Sequence, residues 1–279
     1  MVDITFYGVR GSTPCPCPGK QRYGGNTSCV VVSGDDGDPI VFDLGTGLRQ
    51  WGTQFGGSEF LRATALVTHL HWDHIQGLPF FGPIHNTATH LDVYGVGENG
   101  LTLEECFATF VNPPYFPVHY SELAGSIAFH DVVDTSFAAG PAKITARQIP
   151  HVGPTNGYRV DWGQYSIAYV SDHQQPVDDA TVVDDAVLEL VDGVDVLIHD
   201  AQFTDGEFAE RSHWGHCTAE YAVEVAHQGN VGTLALFHHD PFHDDDAVDS
   251  MLADARRLAA GRNIDHVVAA SEGLVLSLG

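Results

Sequence analysis

Short apolar, β-branched runs recur along the chain, and each predicts a buried strand. Seven of them stop at a side chain that is acidic or able to bind metal. PIVFD ends at Asp43, ALVTH at His69, ITARQIPH at His151, IAYVSD at Asp172, VLIHD at Asp200, LALFHH at His238 and His239, and HVVAASE at Glu272. Loops at the ends of buried strands are where α/β folds place their chemistry, so these endings predict a common site. Between the strands, helical periodicity predicts helices over 101–110, 178–191, 218–228 and 244–260. The third opens on Thr218 and carries a stripe of Ala219, Ala222, Val223 and Ala226; the fourth opens in HDDDA, whose carboxylates favour a helix N-terminus. With its glycine-rich break at 95–100 and the turn FVNPPYFPV, the 82–135 stretch reads as the least regular part: a lid, a substrate-binding arm or a plain connection.

Composition narrows the class. The 279 residues are 43% hydrophobic with 30 glycines, which predicts one globular domain over 1–279. No apolar run approaches the roughly 18 residues of a membrane span, and the start MVDITFYGVRGS has no charged-then-apolar segment. A soluble, cytoplasmic protein is expected. The formal charge of −25 comes from 37 acidic against 12 basic residues, only two of them lysine. That field fits an acidic, salt-adapted proteome more readily than one partner, and it weighs against a long RNA or DNA substrate. Cys15, Cys17, Cys29, Cys106 and Cys217 form no C-x-x-C pair, so neither a disulfide framework nor a zinc knuckle is expected, and CPCPG reads as a stiffened loop.

Candidate chemistry concentrates in THLHWDHIQG. In an extended segment His69 and His71 point the same way and reach one ion, while Asp73 and His74, in the following turn, face a second. Imidazole and carboxylate suit Zn²⁺, Mn²⁺ or Fe²⁺, and completing each shell needs ligands from elsewhere, for which His151, Asp172 and His238 are available. His85, His90, His119, His130, His227 and His266 lie in segments without a partner pattern and are taken as ordinary.

The ordered set FYGVRGSTP, RYGGNTSCVVV, FDLGTGLR, THLHWDHIQGLP, PHVGPTNGYRV, YVSDH, LIHDAQF, GHCTAEYAVEVA and LALFHHDP resembles the metallo-β-lactamase fold hydrolases, in the branch of phosphodiesterases and tRNA 3′-end nucleases. The resemblance implies a four-layer αββα sandwich, two mixed β-sheets back to back with helices outside. It implies that His69, His71 and His151 hold one metal, Asp73, His74 and His238 a second, and that Asp172 bridges them; His239 competes with His238 for its place. Two divalent ions, zinc foremost, would share a water that loses its proton near neutral pH and attacks phosphorus, with Asp73 orienting it. His216, paired with Asp200, would protonate the leaving alkoxide; here Asp and Cys217 stand where relatives have Glu and Ser. Asp43 reads as a loop carboxylate behind the metals, and His173 and His213 fall outside the site.

A two-zinc β-lactamase would have Arg in place of His74, a flavodiiron reductase a carboxylate in place of His71, and GGNTSC, HDAQF and GHCT argue against a glyoxalase-type thioesterase. The expected function is therefore a dinuclear-metal phosphodiesterase acting on small, cyclic diesters, with a homodimer among the states the resemblance implies. A tRNA 3′ endonuclease is the alternative; a non-phosphate hydrolase or a non-catalytic metal-binding module stands further behind.

Overall fold

In the computed structural model, which describes residues 1–55 and 60–279, two mixed sheets lie back to back. The first contains β1 (Val2–Gly8), β2 (Cys29–Gly34), β3 (Ile40–Phe42), β4 (Leu61–Leu66), β5 (Thr89–Gly95), β6 (Ser126–Asp131) and the terminal β14 (Val275–Leu278), in the order β14-β1-β2-β3-β4-β5-β6. The second contains β7 (Thr135–Ala139), β8 (Ala142–Gln148), β9 (Asn156–Trp162), β10 (Tyr165–Val170), β11 (Val196–Asp200), β12 (Thr233–Phe237) and β13 (His266–Ala269), in the order β13-β12-β11-β10-β9-β8-β7. Each sheet pairs an antiparallel group with a parallel one: β3 to β6 in the first, β10 to β13 in the second. Parallel strands present all their C-terminal ends on one side, and there the chain turns into the loops of the site.

The helices are α1 (Gly47–Gly52), α2 (Trp72–Ile75), α3 (Leu103–Phe110), α4 (Asp185–Val191), α5 (Asp205–Arg211), α6 (Ala219–Gln228) and α7 (Asp245–Ala259). Side chains of α1 and α3 cover the outer face of the first sheet, and those of α4, α6 and α7 the outer face of the second. Between the sheets, Phe6, Phe42, Tyr158, Tyr169 and Phe237 are fully buried, and Phe42 stacks on Tyr169 at 4.6 Å between ring centroids. The chain belongs to the four-layer αββα class that the sequence implied.

Three of the four expected helices stand within two residues of their expected ends, each started by its own cap. Thr102 accepts from Glu105 N, Thr218 from Tyr221 N and Asp244 from Ala247 N, satisfying amides that the first turn leaves unpaired. The helix expected over 178–191 begins only at Asp185, after the cap Asp184, because its apolar stripe starts with Val187. The helices α1, α2 and α5 are too short to show periodicity and were not expected. The 82–135 stretch supplies β5, α3 and β6, joined by the irregular segments 96–102 and 111–125.

Three strand ends share one backbone feature. Asp43, Asp172 and His238 follow β3, β10 and β12 with φ of 56°, 57° and 59°, the left-handed region that Asp, Asn and His enter more readily than other side chains. Such a conformation costs on the order of 1–3 kcal/mol and persists where the surroundings impose it. All three residues lie at the site.

Candidate metal centre

The segment after β4 leaves the sheet extended, and His69 and His71 converge there: His69 Nε2 lies 2.8 Å from His71 Nδ1. His151, three residues beyond β8, joins them with Nε2 3.5 Å from His71 Nδ1. Asp73 and His74 stand in α2 rather than in an open turn. Its start turns them towards His238 and away from His151. Asp172, after β10, sits between the two groups. Its Oδ1 lies 3.8 Å and 3.9 Å from His69 and His151 Nε2, and its Oδ2 lies 3.1 Å and 3.2 Å from His74 and His238 Nε2. Glu272, by contrast, accepts from Asn26 and takes no part in the cluster.

Hydrogen bonds on the far side of each ring decide what these nitrogens can do. His69 Nδ1 donates to Thr68 Oγ1 (3.0 Å), His74 Nδ1 to Asp43 Oδ2 (2.7 Å), His151 Nδ1 to the Gly215 carbonyl (2.7 Å) and His238 Nδ1 to Gln202 Oε1 (2.8 Å). With the proton held on Nδ1, a neutral ring offers Nε2 as a lone pair. Those four lone pairs face carboxylate oxygens, an arrangement that repels unless positive charge lies between them. His74 Nε2 is buried without a hydrogen-bond partner, as a metal-directed nitrogen would be.

The spacing fits that reading. Tetrahedral Zn²⁺ with ligands at about 2.0–2.1 Å separates its donors by about 3.3 Å. His74 Nε2 and His238 Nε2 each lie 3.1 to 3.2 Å from Asp73 Oδ2 and from Asp172 Oδ2. The set of His69, His71, His151 and Asp172 is looser, at 2.8 to 3.9 Å. Both sets suit divalent ions. A further grouping of Asp172, Asp200, His216 and His238 would need Nδ1 atoms that already donate to Asp200 and Gln202, so it reads as support for the centre.

Electrostatics separates the two sets. Burial holds His69 and His71 below the usual imidazole range and His151 at about 4, so these rings are neutral and open to metal at pH 7. Burial alone would also lower His74 and His238, but Asp172, with Asp73 and others, raises both, His238 to about 9. Without an ion a proton takes its place.

Asp43 lies behind the centre, fully buried. Besides His74 it takes hydrogen bonds from Thr68 N (2.8 Å), Thr68 Oγ1 (3.0 Å) and Tyr169 Oη (2.9 Å). His216 sits on the pocket wall with Ser12, His71, Trp72, Asp73, Asp172 and His238. Its Nδ1 donates to buried Asp200 Oδ2 at 2.8 Å, while Asp200 Oδ1 accepts from the Gln202 and Cys217 amides. The shorter Asp side chain thus still reaches His216. His239 turns away: its Nε2 bonds the Ala270 carbonyl and its backbone holds Val9 and Gly11. His173 is buried against His199, and His213 is exposed.

Sequence reasoning missed Gln202, and it pointed to the Arg10–Thr13 loop only as a source of substrate donors, not to the hold of Ser12 on Asp73. Gln202 fixes the His238 tautomer, and Ser12 N donates to Asp73 Oδ2 at 2.8 Å. Arg10, fully buried, positions that loop by donating to the carbonyls of Gly24, Asp240 and His243. The signal for Gln202 was its place in HDAQF, two residues after Asp200. Two glycines admit the rings: a Cβ on Gly11 would overlap His238, and one on Gly215 would overlap His151.

A family model described as "Beta-lactamase superfamily domain" matches residues 40–239, a span containing every residue of both donor sets. Ribonuclease Z of Natronomonas pharaonis is 26% identical, across 84% of this chain and 86% of that protein. Among solved structures, the metallo-beta-lactamase fold protein YhfI from Bacillus subtilis has a TM-score of 0.72 at 20% identity, over 99% of this chain and 100% of that one. Human tRNase Z, short form, has a TM-score of 0.67 at 22% identity, over 99% of each chain.

Two predictions follow from the hydrogen bonds and charges. A pKa raised on folding stabilises the fold fully below the unfolded value, about 6.5, and the contribution disappears as pH passes the folded value. For His238 that value is about 9. Chelator-treated protein should therefore melt lower at pH 9.5 than at 6.5, and the stabilisation by added Zn²⁺ should grow over that interval; parallel melting profiles would contradict the charge assignment. Replacing Gln202 with Leu should weaken binding of one of two ions about 10- to 100-fold and leave the other unchanged, as titration calorimetry can read.

Proposed function

This chain belongs to the beta-lactamase superfamily, and from that premise we propose that it is a dinuclear-metal phosphodiester hydrolase with RNA as its substrate class. The observation that carries the proposal is the buried Asp172 carboxylate between two donor sets, with the His216–Asp200 pair on the same pocket wall. His69, His71 and His151 would hold one ion, Asp73, His74 and His238 the other, and Asp172 would touch both. Zn²⁺ is the proposed metal, from the N/O donor set and its spacing. Bound ions of this kind lower the pKa of water and neutralise phosphoryl oxygens.

The chain's own groups supply the rest. His216 donates its Nδ1 proton to Asp200 and lines the pocket; in its imidazolium form, balanced by that carboxylate, it would carry a second proton on Nε2, pass it to a departing alkoxide and be left neutral. Asp73, held by the Ser12 amide, stays ionised: its burial is outweighed by His74 and His238, which keep its carboxyl well below the usual range. As a charged acceptor it can also orient the attacking water.

Relatives named Ribonuclease Z support a precursor tRNA 3′ end as the scissile site, and they run against the charge-based expectation that weighs against long nucleic acid. A small cyclic diester is the second reading. It is favoured by the −25 charge and by a pocket wall that carries no Lys or Arg among the described residues.

Nitrophenolate leaves without a proton, whereas ribose oxygens need one. His216→Gln should therefore spare turnover of bis(p-nitrophenyl) phosphate while cutting cleavage of ribose diesters about 10²- to 10⁴-fold; equal losses would remove His216 from the acid role. Precursor tRNA and 2′,3′- and 3′,5′-cyclic nucleotides should be compared across ionic strength. Because the protein repels anions, KM should fall as salt shortens screening from about 30 Å at 0.01 M to about 3 Å at 1 M. Cleavage of precursor tRNA at its 3′ end supports the first reading; cleavage of cyclic nucleotides alone supports the second; no diester turnover with any of the metals sinks both.

A further inference from the structure

Leu70 and Trp72 of the metal pocket also line a second cavity of about 620 Å³, whose walls are chiefly Trp72, Ile75, Phe80, Phe110, Tyr115 and Phe116. Among the described residues that line it there is no Asp, Glu, Lys, Arg or His, although the chain as a whole carries −25. Its rim leaves large rings in water: Trp72 is 72% exposed, Phe80 61% and Tyr115 78%. Contiguous exposed aromatic surface of this kind marks a binding site more often than it marks a solvated face. Phe80 meets Phe116 edge to face at 6.0 Å, which ties the turn after α2 to the 111–119 connection and closes one wall.

We infer that this cavity is a nucleobase subsite, in which a neutral, flat ring stacks on Trp72 beside Phe80 and Tyr115 while the attached phosphate lies at the metal centre. The inference rests on the phosphodiester reading and names the part of the substrate that confers preference. Three observations favour a base over other apolar groups. The cavity shares Leu70 and Trp72 with the metal pocket, so a group that fills it lies next to a phosphate at the metals. Its size falls in the range of small-molecule pockets, about 300–1,000 Å³, and exceeds the needs of a bare phosphate. Thr46, Gln76 and Thr109 add uncharged hydrogen-bonding groups to an aromatic lining, which suits the edge of a base better than an alkyl chain. The energetics agree. An acidic protein gains little from phosphate contacts outside the metal centre, whereas base–aromatic stacking tolerates any sequence and needs no cation. Trp72 also lies between His71 and Asp73, so the stacking ring and the metal donors are placed by the same four-residue helix.

Binding of adenosine 5′-monophosphate and ribose 5-phosphate to zinc-loaded protein, measured by calorimetry, tests the inference without turnover. The nucleotide should bind about tenfold tighter or more, and Trp72→Ala should bring the two ligands level. A Phe80→Ala/Tyr115→Ala double variant, remote from the metal donors, should weaken the nucleotide while leaving ribose 5-phosphate unchanged. Equal affinities in the wild type, or an undiminished preference in both variants, would overturn the subsite. Bis(p-nitrophenyl) phosphate turnover measured in parallel separates the two claims: turnover without base preference sinks the subsite and spares the hydrolase, and preference without turnover does the reverse.

Discussion

Everything at the open end of this sandwich is arranged around one buried negative charge. Asp172 is essentially inaccessible, and the one hydroxyl that satisfies it, Ser171 Oγ at 2.7 Å, leaves most of its capacity facing imidazole nitrogens. A carboxylate in that position is costly unless cations compensate it. Protons on His74 and His238 meet the requirement in the metal-free protein, and under the proposed function two divalent ions would take their place. Folding and metal binding therefore act on the same charge, which makes the centre a contributor to stability as well as to chemistry.

The geometry of that charge is set from behind. Asp43 gathers His74, Thr68 and Tyr169, and Thr68 passes the constraint on to His69; Gln202 and the Gly215 carbonyl do the same for His238 and His151. Because Tyr169 stacks on Phe42 between the sheets, the hydrophobic layer and the metal centre meet through one residue. Left-handed backbone at Asp43, Asp172 and His238 lets three strands end abruptly, so that these side chains turn inward at the strand ends. The preorganisation is thus paid for by the inter-sheet core, far from the pocket mouth.

Much of this is visible in the sequence because strand-end chemistry leaves a local signature. H-x-H-x-D-H couples an extended pair to a short helix within six positions, and the runs ending at Asp172 and His238 are apolar enough to mark buried strands. What the sequence hides is contact between remote segments. Gln202, Ser12 and Arg10 carry no periodicity, and their importance arises only when the loops after β1, β11 and β12 come together. The choice between His238 and His239 is likewise tertiary: one ring faces the pocket and its neighbour the Ala270 carbonyl, as successive residues leaving a strand do. Within 82–135, β5 alternates buried and half-buried positions whereas β6 is half-exposed, so the strand signal is uneven along the stretch. Phe110, Tyr115 and Phe116 of this stretch help to line the aromatic cavity.

Metal analysis of zinc-saturated, gel-filtered protein, compared with the Asp172→Asn variant, tests the central claim most directly. Two ions per chain in the wild type and one or none in the variant would agree with a buried carboxylate that organises both sites. A single ion in the wild type, or two retained in Asp172→Asn, would contradict it.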